Sequence, residues 1–255
     1  MKTLKEQRIL RLEELAINAF PAILAELYDG WILRFSNGYT NRGNCVNPLY
    51  LASIDLPEKI AFCEEKYFKR NLPCVFKITE KTGGRLDHLL EERNYRIETP
   101  SYIMELSCDK IELNRKTDIQ IDIQYTIDEK WLEGMFALTN KCDDATRLIA
   151  RTMLMNIENQ VICASIYAEE KMIACGLGVL EAGEVGLYSI AVLEEHRKNG
   201  FGAFICEKII GEGKKSGASN AYLQVAEGNN TALRLYEKLG FQRSYTYWYR
   251  VKNNP

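Results

Sequence analysis

Apolar and polar positions along the second half of the chain predict alternating strands and helices. Ile119, Ile121 and Ile123 alternate with polar residues, which is typical of a half-buried strand. Downstream, three apolar stretches separated by short turns predict an antiparallel meander. The predicted strands are 119–125, 161–168, 172–180, 185–192 and 221–225, and the predicted helices are 129–140, 145–157, 202–215 and one that begins at Asn229.

The first half has a similar order of elements. Apolar positions on one side of residues 4–19 predict an amphipathic helix. Two runs at 31–35 and 39–46, joined by Ser36-Asn37-Gly38, predict a hairpin because Asn-Gly is a favoured hairpin turn. The remaining predictions are a helix at 57–70, a strand at 74–78, a helix at 85–93 and a strand at 101–106.

The two halves also share a segment. LLEERNYRIETPSYIMEL aligns with LYEKLGFQRSYTYWYRV, with Leu90 opposite Tyr236 and Tyr95 opposite Phe241. This indicates an internal duplication. The polar segment CDKIELNRKTD is the best boundary, which gives predicted domains at 1–108 and 117–255.

Composition narrows the function classes. The net charge of -2 shows no basic surplus, so nucleic acid is not an expected partner. The eight cysteines have no paired spacing and only two histidines accompany them, which predicts reduced thiols in a reducing compartment and no metal site. The N-terminus lacks the apolar core of a signal peptide and no membrane span is visible, so the sequence predicts a cytoplasmic protein with no membrane partner.

One glycine-rich loop carries candidate chemistry. Arg197-Lys198-Asn199-Gly200-Phe201-Gly202 follows the predicted strand 185–192 and opens the next helix. Two glycines let the backbone bend tightly, and the unpaired N–H groups of a helix start favour an anion. Such loops are also common without any ligand, so the motif alone is a weak indication.

A second motif lies downstream, Asn229-x-x-Ala232-x-x-Leu235-Tyr236-x-x-x-Gly240-Phe241. Together with Val192 and Arg197-x-x-Gly200-x-Gly202, it resembles the GNAT superfamily of acyl-CoA-dependent N-acyltransferases over roughly the last 140 residues, about one domain. The segment DGWILRFSNGYTNRGNCVNPL also looks like the N-terminal half of two-domain bacterial GNAT proteins. The resemblance implies an α/β (α+β) fold of tandem GNAT-like domains, with mixed, mostly antiparallel sheets flanked by helices.

By this resemblance to GNAT proteins, the first half is expected to be a degenerate GNAT-like domain. No Arg-x-x-Gly-x-Gly precedes its helix at Pro57, and Leu90 stands where the second half has Tyr236. It is therefore expected to shape a cleft without holding coenzyme A. Its segment GYTNRGNCVNPL either lines an acceptor cleft or bonds neighbouring backbone, and the second alternative is favoured because Asn-rich turns need no ligand.

The resemblance also implies roles for individual residues. Tyr236 is at the general-acid position, and Asn229 would bond the pantetheine arm of acetyl-CoA. The arm would also bond backbone groups near the end of the strand, and the pyrophosphate would bond the loop. The implied cosubstrate-binding residues are Ile190, Ala191, Val192, Arg197, Lys198, Asn199, Gly200, Phe201, Gly202 and Asn229.

Several alternatives stay open at this point. Tyr236 alternatively only packs its helix onto the sheet, and Asn229 is alternatively only a helix cap. Asp143 and Asp144 either attract a cationic amine or cap a helix, and capping is favoured. The candidates for the general base are Glu184, Tyr188, Glu227 and an ordered water.

The sequence thus predicts an acyl-CoA-dependent N-acetyltransferase that moves an acetyl group from acetyl-CoA to a primary amine. The acceptor, a small molecule or a peptide or protein amine, stays open, and so does the formation of a homodimer. One alternative is a non-catalytic acyl-CoA binding or sensing module. Another is that the first half binds a macromolecular partner on which the enzyme acts.

Overall fold

The computed structural model of the chain describes residues 3–111, 119–139 and 143–254. Within these residues the helices are α1 (Leu4–Asn18), α2 (Leu56–Phe68), α3 (Arg85–Glu92), α4 (Glu129–Leu138), α5 (Asp144–Met155), α6 (Phe201–Lys215) and α7 (Asn230–Lys238). The strands are β1 (Leu24–Tyr28), β2 (Trp31–Phe35), β3 (Val46–Pro48), β4 (Cys74–Thr79), β5 (Arg96–Ser107), β6 (Asp122–Gln124), β7 (Gln160–Ala168), β8 (Lys171–Glu181), β9 (Glu184–Val192), β10 (Asn220–Ala226) and β11 (Gln242–Lys252). Most of the predicted linker, 112–118, and the end of the helix predicted over 129–140 lie outside the described residues.

The chain forms two compact units. Unit 1 comprises Met1–Tyr102, Ala226–Gly228 and Tyr245–Pro255, and unit 2 comprises Ile103–Val225 and Asn229–Ser244. The chain therefore passes from one unit to the other within β5 and again within β11, and residues Ala226–Gly228, at the end of β10 and just after it, return briefly to unit 1. The predicted domain bounds 1–108 and 117–255 stay a prediction, and the observed units are divided differently.

Unit 1 contains a mixed sheet with the strand order β1-β2-β3-β4-β11. Strand β3 runs parallel to β4, and the other pairs are antiparallel. Helices α2 and α3 contribute to its apolar core, which includes Trp31, Ile60, Tyr67, Phe76, Ile78, Leu90 and Tyr95.

Unit 2 contains the strand order β5-β10-β9-β8-β7-β6. The pairs β6–β7, β7–β8 and β8–β9 are antiparallel, and β10 runs parallel to β9. Helix α6 packs closely on this sheet, since a Cβ built on Gly176 would lie 2.5 Å from Ile205 and one on Gly213 would lie 3.0 Å from Val185. The predicted meander and the predicted fold class, mixed and mostly antiparallel sheets flanked by helices, are confirmed.

Helices α3 and α7 end in the same way, as the predicted duplication requires. The Tyr95 N–H donates to the Leu90 carbonyl, and the Phe241 N–H donates to the Tyr236 carbonyl, both at 3.0 Å. The residue before each donor has positive φ, 64° at Asn94 and 93° at Gly240. Both helices therefore end at a residue in the left-handed conformation, which lets the next N–H bond one of the last helix carbonyls.

The strands that follow these two helices have exchanged places. Strand β5 follows α3 in the chain but adjoins β10 in unit 2, whereas β11 follows α7 but adjoins β4 in unit 1. The predicted duplication makes the two segments equivalent, and it would explain why each fits beside the other's neighbour. Each half of the sequence thus supplies a strand to the unit built mainly from the other half.

The hairpin prediction in the first half is partly wrong. Strand β2 does pair with β3, but residues 41–43 form a 3-10 turn instead of continuing a strand. The strand β1, joined to β2 by a turn at Asp29 and Gly30, was not predicted. The Asn44 side chain holds the turn after β2, because its Oδ1 accepts from the N–H groups of Ser36 at 2.7 Å and Gly38 at 2.9 Å. At this asparagine the structure agrees with the local alternative for GYTNRGNCVNPL.

Two predictions in the second half are refined by the structure. Strand β6 is shorter than the predicted 119–125. Asp143 caps α5, since its carboxylate accepts from the Thr146 N–H at 2.7 Å, which agrees with the capping alternative. The free cysteines among the described residues are all buried, whereas Cys142 lies outside them.

Candidate functional site

The parallel strands β9 and β10 separate at one end. Their pairing runs from Glu184 opposite Asn220 to Leu187 opposite Leu223 and stops there. Both strands continue for several residues beyond this point. The β10-facing edge of β9 after Leu187 therefore presents backbone groups that no neighbouring strand bonds, and an extended ligand can pair with them.

A β-bulge lies just after this separation. Tyr188 pairs with Leu177 of β8 and Ala191 pairs with Cys175, so that Ser189 and Ile190 together face the single residue Gly176. Ser189 has a φ of 51°, which is strained for a residue with a side chain. Bulges redirect the backbone groups of a strand, and this one does so at the edge of the opening.

The glycine-rich loop connects β9 to α6. Lys198 has a φ of 66° and Gly200 a φ of 82°, and Gly200 is the N-cap of α6 without a side-chain cap. The first α-helical hydrogen bond after it runs from the Phe204 N–H to the Gly200 carbonyl. The N–H groups before Phe204 are thus the uncapped donors of a helix start, where the helix dipole favours an anion.

Two side chains of the loop bond its own backbone. Arg197 Nε donates to the Val192 carbonyl at 3.3 Å, and Asn199 Nδ2 donates to the His196 carbonyl at 3.4 Å. The Arg197 guanidinium is also 3.8 Å from the carboxylate of Glu194, and both side chains are exposed. The Arg197 side chain therefore links the end of β9 to the first residues of the loop.

Helix α7 packs beside the start of α6. A Cβ built on Gly202 would lie 3.3 Å from Leu235 and 3.7 Å from Val192, so Gly202 permits this close approach.

The next residue of α7, Tyr236, is buried, and its ring meets the Phe241 ring edge-to-face with centroids 5.9 Å apart. Its hydroxyl makes no hydrogen bond to another described residue. Burial raises the pKa of the Tyr236 phenol, and the Cys206 thiol of α6 adds to the increase. The phenol therefore keeps its proton at neutral pH.

Asn229 lies at the start of α7. Its Oδ1 accepts from the Ala232 N–H at 3.1 Å, so the helix-cap role is present. The side chain is exposed, and its Nδ2 group makes no hydrogen bond within the described residues. Asn229 can thus cap the helix and donate to a ligand at the same time.

The candidates for a general base differ in their positions. Glu184 starts β9, about 17 Å along the strand from Ser189 at 3.3 Å per residue, and it accepts from Asn220 Nδ2. This distance removes Glu184 as a base at the bulge. Glu227 accepts from the Tyr102 hydroxyl at 2.6 Å, and the Tyr188 hydroxyl bonds the Tyr222 hydroxyl at 2.9 Å.

Comparison with known proteins identifies the family. A family model described as "Probable histone acetyltransferase Rv0428c C-terminal" matches residues 7–250. The chain belongs to this family. The uncharacterized N-acetyltransferase YobR of Bacillus subtilis (strain 168) is 26% identical over 251 residues, which cover 96% of this chain and 98% of that protein. Ribosomal protein bS18-alanine N-acetyltransferase of Escherichia coli (strain K12) is 34% identical over 74 residues, 29% of this chain and 50% of that enzyme.

Solved structures show the same fold. A GCN5-related N-acetyltransferase from Kribbella flavida has a TM-score of 0.71 at 12% identity and covers 96% of this chain and 95% of its own. A tandem GNAT protein from the clavulanic acid biosynthesis pathway has a TM-score of 0.60 at 10% identity, with 76% of this chain and 68% of its own covered. The predicted membership of the GNAT superfamily is confirmed, and the protein is a GNAT N-acetyltransferase.

The candidate site in unit 2 has two features that fit coenzyme A. An uncapped helix start suits its diphosphate, and an unpaired strand edge suits its amide-containing arm. In unit 1 the start of α2 suits a diphosphate less well, since Asp55 is its N-cap and Pro57 in its first turn has no N–H. A carboxylate at the N-cap disfavours a phosphate. Helix α3 begins after Gly84 without a side-chain cap, but no Arg-x-x-Gly-x-Gly precedes it. The expectation that the first half holds no coenzyme A stays a prediction, which these differences support.

Among the residues that the structure describes, no group of three or more His, Cys, Asp or Glu side chains is arranged to hold a metal ion. No helix in those residues has both the length and the apolar character needed to span a bilayer.

Proposed function

We propose that this GNAT protein transfers an acetyl group from acetyl-CoA to a primary amine, with Tyr236 as the general acid. The observation that supports this most is the combination, within unit 2, of the open β9 edge after Leu187, the bulge at Ser189 and the uncapped start of α6. Acetyl-CoA supplies the activated acyl group as a thioester.

The chain's own groups would hold the cosubstrate along β9. Backbone groups of Ile190, Ala191 and Val192 bond the pantetheine arm in the manner of an added strand. The N–H groups of the loop from Arg197 to Gly202 bond the diphosphate. Arg197, now bonded to the Val192 carbonyl, is exposed and long enough to turn its guanidinium toward the phosphates.

Acyl transfer needs a polarised carbonyl and a protonated leaving group. A backbone N–H of the bulged strand around Ser189 donates to the thioester oxygen and stabilises the negative charge that develops there. The neutral amine nitrogen forms a bond to the carbonyl carbon as the carbon–sulfur bond breaks, and the nitrogen releases one proton to solvent. Tyr236 donates its proton to the departing sulfur, and solvent returns a proton to the phenol.

The names of the relatives favour a peptide or protein amine as the acceptor. One relative is named for the alanine of a ribosomal protein, and the family description names histones. Both are amines of polypeptides. We therefore place peptides ahead of amino sugars and other small amines as the acceptor class.

Two measurements on the full chain test the proposal. Isothermal titration with coenzyme A is expected to give one site per chain, because Arg-x-x-Gly-x-Gly occurs once in the sequence, before α6. Thiol release from acetyl-CoA is expected with at least one member of a panel of peptides with free N-terminal or lysine amines, polyamines and aminoglycosides. Absence of coenzyme A binding contradicts the proposal. Binding without turnover on any amine favours the acyl-CoA sensing module instead.

A further inference from the structure

Two buried tyrosines connect β9 to β10 next to the opening. The hydroxyls of Tyr188 and Tyr222 are 2.9 Å apart and hydrogen-bonded. Their rings meet edge-to-face, with centroids 6.3 Å apart and an interplanar angle of 86°. Tyr188 is 6% exposed and Tyr222 is 2% exposed. A hydrogen bond in such surroundings is well shielded from water and costly to leave unmade.

The local sequence makes room for this tyrosine pair. Tyr222 lies directly opposite Gly186, and Tyr188 is two residues further along β9 on the same side of the strand. A Cβ on Gly186 would lie 2.6 Å from the Tyr222 ring and 2.7 Å from the Tyr188 ring. Only glycine at this position lets the two rings meet over the backbone.

The tyrosine pair lies where the regular sheet ends. The last pairing of β9 with β10 is Leu187 with Leu223, and these residues directly precede Tyr188 and directly follow Tyr222. Ser189 follows Tyr188 directly and has its strained φ of 51°. The only side-chain bond to the Ser189 carbonyl among the described residues is a weak one from the Cys175 thiol, at 3.5 Å. A strained bulge persists only when its surroundings fix it, and the tyrosine pair fixes the residue just before it.

We infer that Tyr222 is a positioning residue for acyl transfer, which acts through Tyr188 to hold the bulge at Ser189 in the conformation that directs backbone N–H groups toward the thioester. This inference deepens the proposed function and rests on it. It assigns the two phenols a role distinct from that of Tyr236, since they hold the polarising backbone and transfer no proton to the leaving group.

The first test replaces one hydroxyl. In Tyr222→Phe the ring remains and the bond to Tyr188 is lost, so kcat for acetyl transfer is expected to fall about tenfold, as for loss of one buried hydrogen bond from the transition state. The dissociation constant for coenzyme A is expected to stay the same. Amide hydrogen exchange of the peptide that contains 188–192 is expected to become faster.

Tyr245→Phe is the matched control. Tyr245 is also 2% exposed and its hydroxyl also makes one short bond, 2.7 Å to Glu13, but it lies in unit 1. This variant is expected to leave kcat and the exchange of 188–192 unchanged. Equal effects of the two substitutions would assign Tyr222 a merely structural role and overturn the inference.

A second substitution tests the route through the bulge. Glycine adopts positive φ without strain, so Ser189→Gly in the Tyr222→Phe background is expected to restore most of the lost kcat. No recovery would overturn the inference. If the wild type binds coenzyme A and acetylates no amine, the proposed function fails. The exchange of 188–192 in the two phenylalanine variants then still shows whether the tyrosine pair holds the bulge.

Discussion

Arg250 and Asp87 are 163 residues apart in the sequence and form a bidentate ion pair in unit 1. Arg250 Nε donates to Oδ1 of Asp87 at 2.8 Å, and Nη2 donates to Oδ2 at 2.9 Å. The indole N–H of Trp248 donates to the same carboxylate at 2.8 Å. This arrangement fixes β11 against α3, and so it fixes the end of the second half to the first unit.

Arg250→Lys is expected to destabilise the protein by about 1.5–3 kcal/mol at pH 7, because lysine cannot make the two parallel bonds of the guanidinium. Arg250 lowers the pKa of Asp87, which also accepts from Trp248. The contribution of a carboxylate with a lowered pKa is present above about pH 4, its unfolded value, and is lost as the pH falls through the folded value. Urea unfolding at pH 7 and pH 3 is expected to show the difference between wild type and variant shrinking at pH 3.

The control for this pair is Arg243→Lys. Arg243 is 3.4 Å from Glu237, and both side chains are about half exposed. The same substitution there is expected to change the free energy of unfolding by less than about 0.5 kcal/mol, as for other exposed ion pairs. A loss at Arg250 no larger than the loss at Arg243 would show that the buried pair adds nothing.

Separating the halves is expected to unfold both. The fragment 1–108 lacks β11, which leaves β4 with an open edge in unit 1, and the fragment 117–255 lacks β5, the neighbour of β10 in unit 2. Open edges of buried strands favour aggregation. Size-exclusion chromatography and circular dichroism are expected to show aggregated or partly unfolded single fragments and a folded complex on co-expression. A stable monomer of 117–255 that binds coenzyme A would contradict this.

Gly200→Ala is expected to cost about 1–2 kcal/mol of stability, since only glycine adopts its φ of 82° without strain. It should also weaken coenzyme A binding about tenfold or more, because the loop would change shape at the phosphate site. Gly217 has a φ of 94° and nothing within 4 Å of a built Cβ. Gly217→Ala is expected to cost similar stability without changing affinity, and isothermal titration distinguishes the two.

Asn229 allows its two roles to be separated. Asn229→Ala removes the cap and is expected to cost about 1 kcal/mol, together with part of the affinity for coenzyme A. Asn229→Asp keeps an oxygen for the Ala232 N–H but loses the Nδ2 donor, so stability should be retained while affinity falls. Thermal unfolding and coenzyme A titration measure the two effects. Full affinity in the aspartate variant would leave Asn229 as a cap alone.

Tyr236→Phe is expected to lower kcat by about 10²–10⁴-fold, the usual contribution of a general acid, with the coenzyme A dissociation constant unchanged. Phe241→Leu is the matched control, because it removes the edge-to-face contact with the Tyr236 ring but keeps the hydroxyl. Steady-state kinetics at saturating substrate should show only a small loss for the leucine variant. Near-normal turnover without the hydroxyl would remove Tyr236 from the mechanism.

Local signals in the sequence were sufficient for most elements and for the loop. The helix cap at Asn229 and the glycine turn at Gly200 follow from residue chemistry that acts over a few positions. Strand β1 was missed because it is a short edge strand with mostly exposed residues, so alternation is weak there. The bulge was missed because Ser189 carries no residue type that signals positive φ.

The exchange of β5 and β11 could not be predicted from the pattern of apolar residues. Both segments follow equivalent helices and both carry the alternation of a strand, so either would fit beside β4 or β10. The choice depends on contacts between residues far apart in sequence, such as Arg250 with Asp87. The tyrosine pair is hidden for the same reason, because Tyr188 and Tyr222 meet only after β10 has aligned with β9.

The position of β11 beside β4 also orders events during synthesis. A ribosome makes residues 74–79 long before residues 242–252, so the first unit emerges with its sheet incomplete and must wait for the last strand. The first half therefore cannot reach its native state while the second half is still being translated. Completion of the unit 1 sheet is therefore a late event, which follows the synthesis of β11.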